Sequence, residues 1–344
     1  MNKHRHRIFI YAFMGLLALL TACNNTVDSG NNNEQENALE DGLVYSNEEV
    51  GEREDKTGAF RTNCLESHES YNDPLVFPGQ PDMAHHHVFF GNPLVDANTT
   101  SESLLDATET TCDGKTLNKS AYWVPALFDQ HGERIEYIDP LFYYKTGYHV
   151  PAQSIQTLPE GLKIIAGNAM TREPQGTQAI KFRCNSWESD VDWFDPGDPL
   201  DHVDYLPDCT TDDILEIRIL FPQCWDGQHL GSGDYQFHMA YPSKATPPVA
   251  GTGSCPSSHP IALPEISYNF GIYVTEDRGS PSLWRFSSDL HKGTAGGITA
   301  HADWMNGWDA DIMERIVEQC LKPAMECMVG LLGDGTRLES VIVD

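Results

Sequence analysis

No two of the nine cysteines form a CxxC pair, which removes the usual zinc ribbons and thioredoxin-like redox motifs. The chain also has no HExxH, no Gly-rich phosphate loop and no GxSxG elbow, so zincin, nucleotide-binding and serine-hydrolase readings have no starting point. Cations are scarce: 22 Lys+Arg stand against 51 Asp+Glu, a formal charge of −29. Such a surface repels nucleic acid, anionic headgroups and, unless cations bridge, polyanionic polymers. The apolar run Ile8 to Leu20 is shorter than the roughly 20 residues a membrane-spanning helix needs. There is no internal repeat. There is also no alternation of strand-like with helix-like segments, which argues against a parallel-sheet fold.

What is present begins with a leader. Lys3, Arg5 and Arg7 precede the apolar run, and Leu20-Thr21-Ala22-Cys23 follows it. Basic, apolar and small-residue regions in this order mark a secretory signal, and a cysteine directly after Leu-Thr-Ala is the pattern of a bacterial lipoprotein. Residues 1–22 are therefore expected to be a signal peptide and Cys23 the lipidated residue, so that the exported protein is lipid-anchored to the cell envelope. Asn24 is not the Asp that favours retention at an inner membrane, which points to the outer membrane if the cell has one. Residues 23–59 are polar, acidic and poor in aromatics, and are expected to form a disordered tether. Without Cys23, eight cysteines remain, an even number that suits disulfides in an oxidising compartment. Connectivity is open from sequence; neighbours are expected to pair, as Cys64–Cys112, Cys184–Cys209, Cys224–Cys255 and Cys320–Cys327.

Residues 60–344 suffice for one large domain. Strand-like runs dominate: Ser120–Asp129, Ile135–Lys145, Gly161–Asn168, Ala179–Asn185, Leu215–Pro222, Pro264–Val274 and Ser282–Ser288. They are rich in β-branched and aromatic residues and are separated by Pro, Gly, Asn and Asp. Leu215, Ile217, Ile219 and Phe221 alternate onto one face. One helix is expected from about Asp309 or Asp311 to Leu321, stopped by Pro323. The expected fold is mainly β, a single antiparallel β-sandwich of jelly-roll type with long loops and one late C-terminal helix.

The stretch "MAHHHVFFGN" holds three consecutive histidines. On a strand His85 and His87 share a face and His86 points to the other. Two neutral imidazoles on one face seed a divalent transition-metal site, which His301 is a candidate to complete. His238, His259 and Asp303 are further candidates. A second reading needs no metal: a histidine partnered by Asp303, Tyr122 or Tyr241 does acid–base chemistry on a carbohydrate. Tyr122, Trp123, Asp226, His259, Asn306 and Trp308 are then the candidate sugar-lining residues, with core packing the alternative for each Trp. The acidic run holding Asp190, Asp192, Asp195, Asp198, Asp201, Asp204 and Asp208 does not match an EF-hand, and a solvated loop competes there with a calcium site.

These motifs occur together and in order: Asp73–Asn92, Lys119–Phe128, Gly161–Asn168, Phe221–Gly227, "HMAYP" from His238, "GSCPSSHPIALPEI" (Gly253–Ile266, which contains His259) and "HADWMNGWD" from His301. As a set they resemble the exported family catalogued as domain of unknown function nineteen ninety-six, over roughly Asp73 to Cys320. The resemblance implies that His85, His87, His238, His259 and His301 matter more than His68, His131, His149, His202, His229 and His291. It also implies that Gly91 answers a backbone requirement, that His86 is variable, and that Asn118, where the common family form has Asp, is not an essential acid.

Two function classes follow. One is a surface-tethered, polysaccharide-active enzyme, a hydrolase or lyase, with His85, His87, His238, His301 and Asp303 as its catalytic or metal-assisted set. The other is a non-catalytic surface module that binds glycan or metal. The expected partners are a membrane, through the lipid, and a glycan, with no nucleic acid.

Overall fold

The computed structural model describes residues 39–186, 202–231, 236–245 and 249–342. The leader, Cys23 and the acidic residues Asp190, Asp192, Asp195, Asp198 and Asp201 lie outside them. Two sheets carry most of the strands. In chain order these are β1 (Gly51–Glu52), β2 (Ala59–Asn63), β3 (Glu66–Ser70), β4 (His87–Gly91), β5 (Ala121–Pro125), β6 (Ile138–Lys145), β7 (Lys163–Gly167), β8 (Ile180–Ser186), β9 (Asp213–Leu220), β10 (Glu265–Tyr273), β11 (His301–Met305) and β12 (Met325–Val329). The five-stranded sheet runs β7-β11-β5-β4-β3, and the seven-stranded sheet runs β8-β9-β10-β6-β2-β12-β1. All pairs are antiparallel except β12 with β2, which is parallel and departs from the purely antiparallel expectation.

Alternation decides what each face buries. Val88, Phe90, Tyr122, Val124 and Trp304 point inward from the smaller sheet, and Phe142, Tyr144, Ile217, Tyr268 and Phe270 point inward from the larger one, all in one apolar core. Ring pairs join the two layers: Phe90 lies 5.7 Å from Phe142 and Tyr122 lies 4.3 Å from Phe142, centroid to centroid. The alternate residues Phe89, Ala121, Trp123, Ile165 and Met305 face away from this core. They form a second apolar cluster with Leu75, Val95 and Leu104 from the overlying loops. The smaller sheet is thus covered on both sides.

The expected strands are present, but Ser120–Asp129 divides into Ala121–Pro125 and Leu127–Phe128, and Ile135–Lys145 into Arg134–Ile135 and Ile138–Lys145, the pieces of each in different sheets; the larger departure is Ser282–Ser288. There only Arg285–Phe286 is extended, and Ser287–Lys292 is helical. The Asp289 carboxylate accepts the Phe286 N–H at 3.0 Å and so starts a helix within a run that has strand composition. The late helix forms at Ala310–Arg315, capped by Asp309, and continues as a π-helical turn over Ile316–Leu321. The tether expectation fails from residue 39 onward: Leu43–Tyr45 pairs with Thr336–Leu338, and β1 pairs with β12. Backbone pairing and the ion pairs of Arg53 with Asp55 and Glu326 order this polar segment, which has little apolar surface of its own. All four disulfides join sequence neighbours, Cys64–Cys112, Cys184–Cys209, Cys224–Cys255 and Cys320–Cys327, which fits an oxidising compartment. Among the described residues no helix is long and apolar enough to cross a membrane.

Candidate metal centre

His87 opens β4 and faces outward with Phe89, while His85 sits just before the strand. β11 brings His301 and Asp303 to the same outer face, two residues apart, with Asp303 beside Trp123 of β5 and Ile165 of β7. The His85 and His87 rings are 4.2 Å apart, His85 and His301 4.9 Å, and His87 and His301 5.8 Å. One ligand nitrogen from each of the three lies within 4.8 Å of the others. His86 points elsewhere: its Nε2 meets Glu69 at 2.7 Å and its ring stacks on Tyr71. The split of the triplet into two and one holds in space.

The tautomers follow from the hydrogen bonds. His87 Nδ1 lies 3.0 Å from the Asn72 carbonyl and His301 Nδ1 lies 2.8 Å from the Thr299 carbonyl. A carbonyl only accepts, so both protons sit on Nδ1 and each Nε2 keeps its lone pair. Carbonyl partners of this kind orient metal-binding imidazoles. Thr299 is itself fixed, because buried Asp289 accepts its N–H at 3.0 Å and its hydroxyl at 2.8 Å. The Nε2 atoms of His85 and His87 and both Asp303 carboxylate oxygens are buried with no hydrogen-bond partner among the described residues. Asp303 Oδ2 is 3.9 Å from His301 Nε2. Asp73 joins from the loop below, within 4.8 Å of His87 and Asp303; its Oδ1 also accepts from the Leu75 and Val76 amides.

Burial dominates the electrostatics. It drives His85 far below the ordinary histidine range, with the neighbouring rings adding to the effect. It lowers His87 to about 3 and His301 to about 4, so the imidazoles stay neutral. It raises Asp73 to about 6 and, with Asp73 beside it, pushes Asp303 well above the carboxylate range. The Nε2 atoms of His85 and His87 are buried acceptors without partners, and each such buried unpaired polar group costs about 1–3 kcal/mol. Tetrahedral nitrogens on a metal at about 2.0–2.1 Å lie about 3.3 Å apart, so closure from the observed spacing is at most about 1.5 Å. Asp73, His85, His301 and Asp303, but not His87, line a cavity of about 430 Å³, with Met83 and Met170 on the same wall.

The other expected site residues are placed elsewhere. His238 is buried with Nε2 on the Lys163 carbonyl at 2.7 Å, and His259 bonds the Phe237 carbonyl at 2.7 Å. His238 ties its turn to β7, His259 ties one loop to another, and neither belongs to the histidine cluster. Tyr122 lies in the inner core with its hydroxyl 2.8 Å from that of Tyr144, and Trp308 Nε1 donates to the same Tyr144 hydroxyl at 2.8 Å. Trp123 stacks on Phe89 in the second apolar cluster, and Asn306 donates to the Pro159 carbonyl at 2.8 Å. Asp226 accepts from the Gln228 and His229 amides in a turn. None of these lines the cavity, because the fold spends each on packing or loop closure. Sequence reasoning missed Asp73, whose Asp-Pro context reads as a turn, and Asp289. It also set His291 aside, yet His291 lines the cavity.

Gly91 answers a close approach: its φ is 84°, and a Cβ there would meet the Ser120 carbonyl at 2.5 Å. The family described as "Domain of unknown function (DUF1996)" matches residues 73–308, which contain every member of the cluster. No curated protein and no solved structure matches the chain.

Proposed function

The chain belongs to the DUF1996 family, and we propose that it is an exported, envelope-tethered enzyme that cleaves polysaccharide by hydrolysis or elimination at a metal centre held by His85, His87 and His301. The observation that carries this reading is the pair of buried, unpartnered Nε2 atoms on His85 and His87, beside an His301 ring whose proton is held on Nδ1. Neutral nitrogen donors suit a divalent transition metal, whereas calcium requires a shell of oxygens. Three protein ligands with one side turned to a cavity is the pattern of catalytic rather than structural sites. When bound, such an ion polarises a substrate oxygen. Asp303, unpartnered and next to His301, is the group placed to hold or give up a proton at a carboxyl oxygen facing the cavity.

The glycan reading draws on the exported setting and on Asn168 and Gln236 in the cavity wall, amides of the kind that bond sugar hydroxyls. Trp123, Trp304 and Trp308 are buried and offer no exposed platform, whereas Trp225 is only partly buried. The test combines metal analysis of the purified chain with turnover of a panel of neutral polysaccharides, read as new reducing ends or unsaturated ends. One transition-metal ion per chain and loss of turnover in both His85→Ala and His301→Ala are expected. Unchanged turnover in both variants refutes the proposal.

A further inference from the structure

The outer face of the seven-stranded sheet holds a second constellation, unrelated to the histidines. A cleft of about 210 Å³ is lined by Arg53, Arg61, Lys145, Lys181 and Arg218, and among the described residues Glu265 is the one carboxylate on its wall. Alternation puts them there: Lys181 on β8, Arg218 on β9, Lys145 on β6 and Arg61 on β2 all point away from the core. Lys181 and Arg218 are direct cross-strand partners. Like charges directly opposite each other destabilise a sheet, and this pair occurs in a chain with few cations to place. Two neighbouring carboxylates are shared: Glu326 pairs with both Arg53 and Arg61, and Glu216 meets Arg183 and Arg218 at 2.5 Å each, while Asp55 pairs with Arg53 alone. Glu265 pairs with Lys145 at 3.2 Å. The Arg61 guanidinium and the Lys145 ammonium both lie over the Tyr143 ring, at 4.7 and 5.7 Å from its centre, which holds the cations in place at the floor.

We propose that this cleft is an anion-binding site for a small ligand carrying an oxyanion, a carboxylate or a phosphate group. Planar guanidinium forks suit both groups, and Lys181 supplies a point charge in the lining. The cleft is smaller than the roughly 300–1,000 Å³ of pockets for drug-sized ligands, so it takes a charged group on a small body and not a long chain. The electrostatics of Lys181 agree: burial, with Arg218 and Lys145 nearby, lowers it to about 8, the expected condition of an ammonium whose counter-charge is under-supplied.

The test is calorimetric titration of the full chain with sodium phosphate, sodium glucuronate and glucose. Saturable binding of phosphate or glucuronate, weakening with salt, and none of glucose are expected; which anion binds tighter identifies the ligand chemistry. Lys181→Met should weaken binding at least tenfold and Lys181→Arg should retain it. Arg61→Gln, on a different strand, should weaken it as well, with a thermal melt of each variant checking the fold. His301→Ala should leave anion binding unchanged. Absence of saturable anion binding, or wild-type affinity in both Lys181→Met and Arg61→Gln, overturns the proposal.

Discussion

Loading the histidine cluster with zinc should raise the thermal midpoint by an amount that can be worked out in advance. A ligand that binds only the folded chain at 100 times its dissociation constant adds about 2.7 kcal/mol. For a domain of this size about 2 °C of midpoint accompanies each kcal/mol, so the expected shift is about 5 °C. Outer-shell partners of metal ligands are worth about 10–100-fold in affinity, so loss of a ligand costs at least about 100-fold. At the same free zinc, His301→Ala or His85→Ala then retains about 0.4 kcal/mol, under about 1 °C. His86→Ala is the internal control, since His86 is adjacent in sequence but engaged with Glu69 and Tyr71; it should keep the full shift. The pH arm sharpens the assay. An ordinary exposed histidine is about ten to one protonated at pH 5.5 and releases metal. His87, lowered to about 3, and His301, lowered to about 4, remain neutral there and should still bind. Scanning fluorimetry with and without chelator reads all of this. A shift lost equally in His86→Ala, or retained in both His85→Ala and His301→Ala, refutes the assignment of the ligands.

Two further outcomes follow from the same structure. In the metal-free chain His301 has a folded pKa below its unfolded one, so its contribution is full above about 6.5 and lost as pH falls to about 4, worth about 3 kcal/mol. Asp73 is raised, so its contribution is full below about 3.8 and lost as pH rises to about 6, again about 3 kcal/mol. The two slopes oppose each other, and Asp73→Asn, which keeps an acceptor for Leu75 and Val76, should make metal-free stability fall more steeply from pH 6 to 4; urea midpoints across that range check it, and an unchanged slope counts against it. Paired Cys→Ala replacements should rank by loop length: about 4.1 kcal/mol for Cys64–Cys112, 48 residues apart, against about 2.4 for Cys320–Cys327, 7 apart. Urea unfolding decides it, and the reverse order would exclude loop entropy as the main cause.

Legibility in sequence tracked one physical distinction: periodicity reports which residues share a face, but not what covers that face. His85 and His87 were separable from His86 because a period of two is local, and Leu215, Ile217 and Ile219 were assigned to the core on the same ground. The tryptophans were ambiguous for the same reason. Trp123 lies on an outward face that becomes buried only because Leu75, Val95 and Leu104 arrive from distant loops. Asp73 belongs with this group. Its turn is local and readable, while its approach to His87 and Asp303 depends on the loop folding back onto the sheet. Arg183, Glu216 and Arg218 take outward alternates of β8 and β9, yet all three are buried. A sandwich sends its apolar alternates inward, so polar side chains are left to the two outer faces, and non-local segments decide what covers each. The histidine site could be anticipated because its residues also recur in recognisable motifs. The cationic cleft is built from four strand positions and Arg53 just after β1, with no motif of their own, so only the folded chain brings Arg53, Arg61, Lys145, Lys181 and Arg218 together.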